Sequence, residues 1–141
     1  RVPAGGCGVT DGRHDRRFDH AGIATTDADG LAALYVDLFG CERAHEERLD
    51  GMFVCFLDLG GGYLELLEPR DGGTIARYLD EHGPGIHHIA VATDDIEAAL
   101  ERARACGIDS VEGPRPGAWG HEVAFLHPDS TGGVLFEFVE H

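Results

Sequence analysis

Two histidines and two glutamates carry the chemistry that can be read in this sequence. His20 interrupts the apolar stretch from Phe18 to Thr25, and His88 interrupts the stretch from Ile86 to Thr93. Glu65 sits in Tyr63-Leu64-Glu65-Leu66, and Glu137 in Leu135-Phe136-Glu137-Phe138. A carboxylate on a buried strand face is costly unless it is paired or bound to metal. Taken singly, each glutamate could lie on a solvated face and each histidine could be a satisfied core imidazole. Their matched placement argues otherwise. His88 follows His20 by 68 positions (88 − 20), and Glu137 follows Glu65 by 72 (137 − 65). The difference falls in middle loops, where insertions are tolerated. Two copies of one module related by a twofold axis would bring the four side chains together around one cation.

Two imidazoles with two carboxylates form a borderline-to-hard ligand set. It suits Co²⁺ first, with Ni²⁺, Mn²⁺, Fe²⁺ or Zn²⁺ as alternatives. Structural zinc prefers a closed site, often with cysteine. Four ligands on an octahedral ion leave two neighbouring positions for two oxygens of one substrate. The two carboxylates moderate the charge of the ion and leave it a Lewis acid for a developing enolate.

The elements that must position these residues follow from periodicity. Phe18 to Thr25 reads as a strand. Leu31, Leu34, Tyr35 and Leu38 recur at helical spacing within 28–39, and Gly40 closes that helix. Strands are expected at 41–46, 52–59 and 63–68, with Gly60-Gly61-Gly62 as a turn. The pattern then repeats as a strand at 86–93, a helix at 96–106 stopped by Gly107, and strands at 123–126 and 134–139. A connecting helix at 74–82 ends at Gly83-Pro84-Gly85. The expected organisation is a single domain over 18–140. Its modules are 18–69 and 86–140, joined by a linker at 70–85 and preceded by a disordered tail at 1–17 that is rich in glycine and charge.

Composition bounds the rest. The chain has 141 residues and a net charge of −15, with 26 acidic residues against 11 basic ones, every one of the latter arginine. Such a surface repels nucleic acid and anionic membranes. It also suits high salt, where the Debye length shrinks to about 3 Å at 1 M. There is no apolar run near the roughly 20 residues that span a bilayer and no apolar signal-peptide core, so a soluble cytoplasmic protein is expected. Cys7, Cys41, Cys55 and Cys106 show no CxxC or zinc-finger spacing. Cys41, Cys55 and Cys106 read as small buried residues, and no disulfide is expected.

Paired β-α-β-β-β modules with this His…Glu…His…Glu order resemble the vicinal-oxygen-chelate (glyoxalase/bleomycin resistance/dioxygenase) superfamily. Several segments look like its methylmalonyl-CoA epimerases: Phe18-Asp19-His20-Ala21-Gly22-Ile23-Ala24, Tyr63-Leu64-Glu65-Leu66-Leu67-Glu68-Pro69, Gly83-Pro84-Gly85-Ile86-His87-His88-Ile89-Ala90, Phe125-Leu126-His127-Pro128 and Gly132-Gly133-Val134-Leu135. The resemblance covers Phe18 to Glu140. It implies an α+β fold whose eight strands form a cupped mixed sheet, usually in a homodimer. It also implies an acyl-CoA thioester substrate and interconversion of 2R and 2S methylmalonyl-CoA through a metal-stabilised enolate.

The resemblance marks Glu137 as both ligand and base. Some relatives carry a second catalytic Glu at the position aligned with Val54, and tend to have Gln where this chain has Glu65. Glu65 is therefore the candidate for the second proton transfer while remaining a ligand, with Glu122 or a bound water as alternatives. His87 should point to the other sheet face. His121 lies on a loop that could meet a substrate carboxylate through backbone N–H groups. His127-Pro128 reads as a strand ending, and Arg70, Arg77 and Arg115 as surface residues within reach of phosphate. The same fold also hosts glyoxalase I, extradiol-type dioxygenases and non-enzymatic ligand-binding proteins. The GPGIHHIA and FLHP…GGVL segments argue against glyoxalase I. Retention of four ligands argues against the other two.

Overall fold

The computed structural model describes residues 17–141. The expected tail lies outside them except for Arg17, which begins the first strand. The elements in order are β1 (Arg17–Ala24), α1 (Ala28–Phe39), β2 (Glu42–Leu49), β3 (Met52–Asp58), β4 (Tyr63–Pro69), α2 (Thr74–His82), β5 (Gly85–Thr93), α3 (Ile96–Ala105), β6 (Ser110–Pro116), β7 (Glu122–Leu126) and β8 (Phe136–Glu140). The chain divides into two compact units. One comprises His20–His87 and the other His88–His141 with Arg17–Asp19. The connecting helix α2 belongs to the first. No helix of the described residues is long and apolar enough to cross a membrane.

In the first unit the strand order is β2-β3-β4-β1, with β1 parallel to β4 and the other pairs antiparallel. Ala28 and Ala32 of α1 pack with Cys41, Cys55, Leu57 and Leu66. Side chains this small let the helix axis approach the sheet closely. Because strand residues alternate between faces, Val54, Phe56 and Glu65 point to the side opposite α1. Burial of the Cys55 thiol pushes its pKa up to about 11, so it is an inert core residue.

The second unit repeats the plan. Its order is β5-β8-β7-β6, with β5 parallel to β8 and the remaining pairs antiparallel. Ile96, Leu100 and Ala103 of α3 pack on Ala124 and Leu126. Ala90, Val123 and Val139 fill the other face, where Phe125 stands opposite Glu137.

The duplication reaches the helix caps. Thr25 Oγ1 accepts from Asp27 N at 3.1 Å, and Thr93 Oγ1 accepts from Asp95 N at 3.2 Å. The Asp27 carboxylate then accepts from Gly30 N at 3.0 Å, and Asp95 from Ala98 N at 3.1 Å. Glu68 accepts from Ala28 N at 2.8 Å, and Glu140 from Ile96 N at 2.9 Å. Each helix thus has its exposed N-terminal donors satisfied by the same three residue types. One of those carboxylates arrives from the strand that carries the candidate ligand, three residues past it.

Three features depart from the sequence reading. Strand β2 runs on to Leu49, past the expected 46. Strand β6 was implied only by the eight-stranded resemblance and had no local signal, since Pro114 and Pro116 interrupt any strand pattern. It survives because it ends the strand order, where a missing N–H can face away from the ladder. Gly113 sits there at φ +98°, and a Cβ would meet the Val123 carbonyl oxygen at 2.5 Å, so the close approach of β6 to β7 needs glycine. The third departure is Cys106, which is half-buried and disulfide-bonded, whereas Cys41 and Cys55 are free and buried. Linear spacing holds no record of which cysteines the fold brings together.

Candidate metal centre

His20 lies on β1 and Glu65 on β4. The parallel register sets Tyr63 opposite His20 and Gly22 opposite Glu65, so His20 and Glu65 share a face. With glycine as its direct neighbour, the Glu65 carboxylate is free to lean towards the imidazole. His20 Nε2 lies 3.0 Å from Glu65 Oε1, and the two side chains are 4% and 8% exposed. The Phe56 ring meets His20 edge-on at 5.6 Å and 88°.

The second unit builds the same pair from β5 and β8. Ala90, again a small residue, stands opposite Glu137. His88 Nε2 lies 3.2 Å from Glu137 Oε1, with the side chains again 4% and 8% exposed. The Phe125 ring meets His88 edge-on at 5.6 Å and 88°. Phe56 and Phe125 are thus matched walls that fix the imidazole planes. They were not singled out from the sequence, although they stand at nearly the same offset as the ligands.

Burial at this level leaves little water to solvate a carboxylate, so each pair needs a positive charge. A divalent ion meets that need geometrically. Two ligand atoms at about 2.1 Å from one ion and at right angles to each other stand about 3.0 Å apart, which is the spacing within each pair. His20, Glu65, His88 and Glu137 form a group able to hold a metal ion, offering one ligand atom each, all within 4.8 Å of one another. That span also accommodates ligands on opposite sides of an ion, about 4.2 Å apart at the same bond length.

The other residues singled out from the sequence lie elsewhere. Strand alternation turns His87 to the opposite face from His88, where its ring meets Tyr78 edge-on at 5.0 Å. His121 follows a short 3₁₀ turn at Ala118–Gly120 and packs against the His141 ring at 4.1 Å. His141 Nε2 in turn lies 2.6 Å from Asp19 Oδ1. His127 Nδ1 accepts from Asp129 N at 3.3 Å and so caps the turn after β7. Arg70 pairs with Glu68 at 2.8 Å and lies over the Phe53 ring. Arg77 reaches Thr74, and Arg115 pairs with Glu112. Val54 is fully buried, and Glu122 is half-buried at the start of β7.

The model of the Glyoxalase/Bleomycin resistance protein/Dioxygenase superfamily matches residues 19–125. The chain belongs to this superfamily, and the eight strands and three helices of its described residues are that fold, a mixed sheet built from two β-α-β-β-β halves. Within the superfamily, several of its relatives are methylmalonyl-CoA epimerases. It is 38% identical over 128 residues to the ethylmalonyl-CoA/methylmalonyl-CoA epimerase of Cereibacter sphaeroides, covering 86% of this chain and 95% of that one. The crystal structure of methylmalonyl-CoA epimerase from Mycobacterium tuberculosis superposes with a TM-score of 0.85 at 34% identity, covering 95% of this chain and 93% of that one. A substitution variant of Streptomyces coelicolor methylmalonyl-CoA epimerase, in complex with 2-nitronate-propionyl-CoA, superposes with a TM-score of 0.82 at 36% identity, covering 89% and 96%.

Proposed function

We propose that this chain interconverts the 2R and 2S forms of methylmalonyl-CoA, with one divalent cation held by His20, Glu65, His88 and Glu137. The observation that carries the reading is the pair of buried His–Glu couples at ligand-to-ligand spacing, in a chain similar to named epimerases of this substrate. Glyoxalase I, the alternative, is not favoured by those relatives. Co²⁺ is the metal we propose first. The substrate class is an acyl-CoA thioester with a second carboxyl group, and the active species is a cytoplasmic homodimer.

The proton to be moved lies α to a thioester and a carboxylate. Bound at the centre, the cation supplies Lewis-acid stabilisation of the negative charge that develops as that proton leaves. His20 and His88 act as neutral ligands through Nε2, held in plane by Phe56 and Phe125. Glu137 serves as ligand and as the acid/base on one face of the α-carbon. Glu65, the duplicated counterpart, is a ligand paired with His20 as Glu137 is with His88. The low exposure of all four side chains keeps bulk water from competing for the proton.

The reading is tested by incubating metal-loaded protein with (2S)-methylmalonyl-CoA and following the 2R epimer. The 2R form should appear until the two epimers equilibrate, and the rate should fall after chelation and return with added metal. Glutathione with methylglyoxal, supplied in parallel, should yield no product. Conversion of the second mixture without epimerisation of the first would overturn the assignment.

A further inference from the structure

Epimerisation needs a proton-transfer group on each face of the α-carbon. Two carboxylates flanking one carbon, each at hydrogen-bond reach, stand roughly 6 Å apart. Glu65 and Glu137 each commit an oxygen to one cluster whose ligand atoms lie within 4.8 Å of one another, closer than that separation. The second group has to come from farther out on the sheet, and the residue aligned with the catalytic Glu of some relatives is Val54, fully buried.

The β2–β3 register supplies a carboxylate beside it. Glu47 stands directly opposite Val54, and His45 directly opposite Phe56. Phe56 is in turn opposite Glu65. By strand alternation, Glu47 and His45 therefore occupy the face that carries Glu65 and His20. They are bonded to each other, His45 Nε2 to Glu47 Oε1 at 2.7 Å, and their side chains keep 29% and 25% exposure. The His45 ring lies 6.3 Å from that of Phe56, the residue that walls His20. Adjacent strands are about 4.8 Å apart, and a glutamate side chain spans much of one such step. A carboxylate from β2 can thus serve the ground that Val54 leaves without one.

We propose that Glu47 is the acid/base on the face of the α-carbon away from Glu137, and that His45 is its positioning partner. The inference rests on the epimerase reading. In one direction the Glu47 carboxylate takes the α-proton as the C–H bond breaks, and the electron pair stays with the carbon and its conjugated thioester. A protonated Glu137 then delivers a proton to the opposite face. The reverse direction exchanges the roles, and exchange with solvent restores both carboxyl groups.

The test supplies each epimer of methylmalonyl-CoA separately, in D₂O, to metal-loaded native protein and to Glu47→Gln. The variant should bind metal as the native chain does and lose roughly 10²- to 10⁴-fold in epimerisation. It should still wash out the α-hydrogen of one epimer, the one that faces Glu137. His45→Asn should lower epimerisation by a smaller factor without changing metal content. Native epimerisation by Glu47→Gln, or equal loss of exchange from both epimers, would overturn the role of Glu47. A native protein that exchanges neither epimer would instead overturn the epimerase reading itself.

Discussion

The four candidate ligand residues could be read from the sequence because each broke an apolar run and each had a counterpart. Their geometry turns that pattern into a prediction. If both pairs are needed to hold one ion, His20→Ala and His88→Ala should each cost a large part of the metal affinity, on the order of 100-fold or more, while single changes at the surface arginines should not. Metal content after dialysis against a fixed free-ion buffer measures this. A variant of either histidine that keeps full metal content would remove that residue from the centre. Phe56 and Phe125 escaped notice because an apolar residue in an apolar strand gives no contrast, although their ring contacts with His20 and His88 are identical in distance and angle. Glu47 escaped for another reason. In Glu42–Leu49 five of the eight residues are charged, and only the pairing register says which charges face the centre.

At the scale of elements, the helices and the inner strands were legible. Their periods are regular and their ends are marked by glycine, as at Gly40, which takes the left-handed conformation at φ 69°. Strand β6 was not, because prolines erase the pattern of an edge strand. The helix anchors were hidden as well. Nothing in the sequence sets Glu68 and Glu140 apart, yet each accepts the first backbone N–H of a helix. A hydrogen bond to a charged group at this position is worth about 1–2 kcal/mol once partial solvation is allowed for. Glu140→Ala should therefore lower the melting temperature by several degrees, through α3, with little change in metal affinity. Thermal unfolding followed by circular dichroism measures the first and metal titration the second. An unchanged melting temperature would mean that water replaces the carboxylate at no cost.

For the whole molecule, the internal repeat of β-α-β-β-β modules was legible in the sequence, and the eight-stranded mixed sheet came from the family resemblance that the repeat and its motifs carry. What the sequence left open was spatial. It gave no sign of the disulfide at Cys106. The charge of −15, carried with arginine and no lysine, bears on conditions rather than chemistry. Mutual repulsion among carboxylates weakens as the Debye length falls. The melting temperature should therefore rise by about 5–10 °C between 0.1 M and 2 M KCl, equivalent to roughly 2 kcal/mol. A flat or falling curve would make the acidic surface a matter of solubility alone. The central claim, a four-ligand cation centre that labilises an α-proton, is tested most directly by hydrogen exchange. Methylmalonyl-CoA in D₂O is given to chelator-treated protein and to the same protein reloaded with Co²⁺, and deuterium at the α-carbon is followed by NMR. The account predicts slow or no exchange without metal and rapid exchange that saturates near one equivalent of metal per chain. Equal exchange with and without metal, or none from the fully loaded protein, would contradict it.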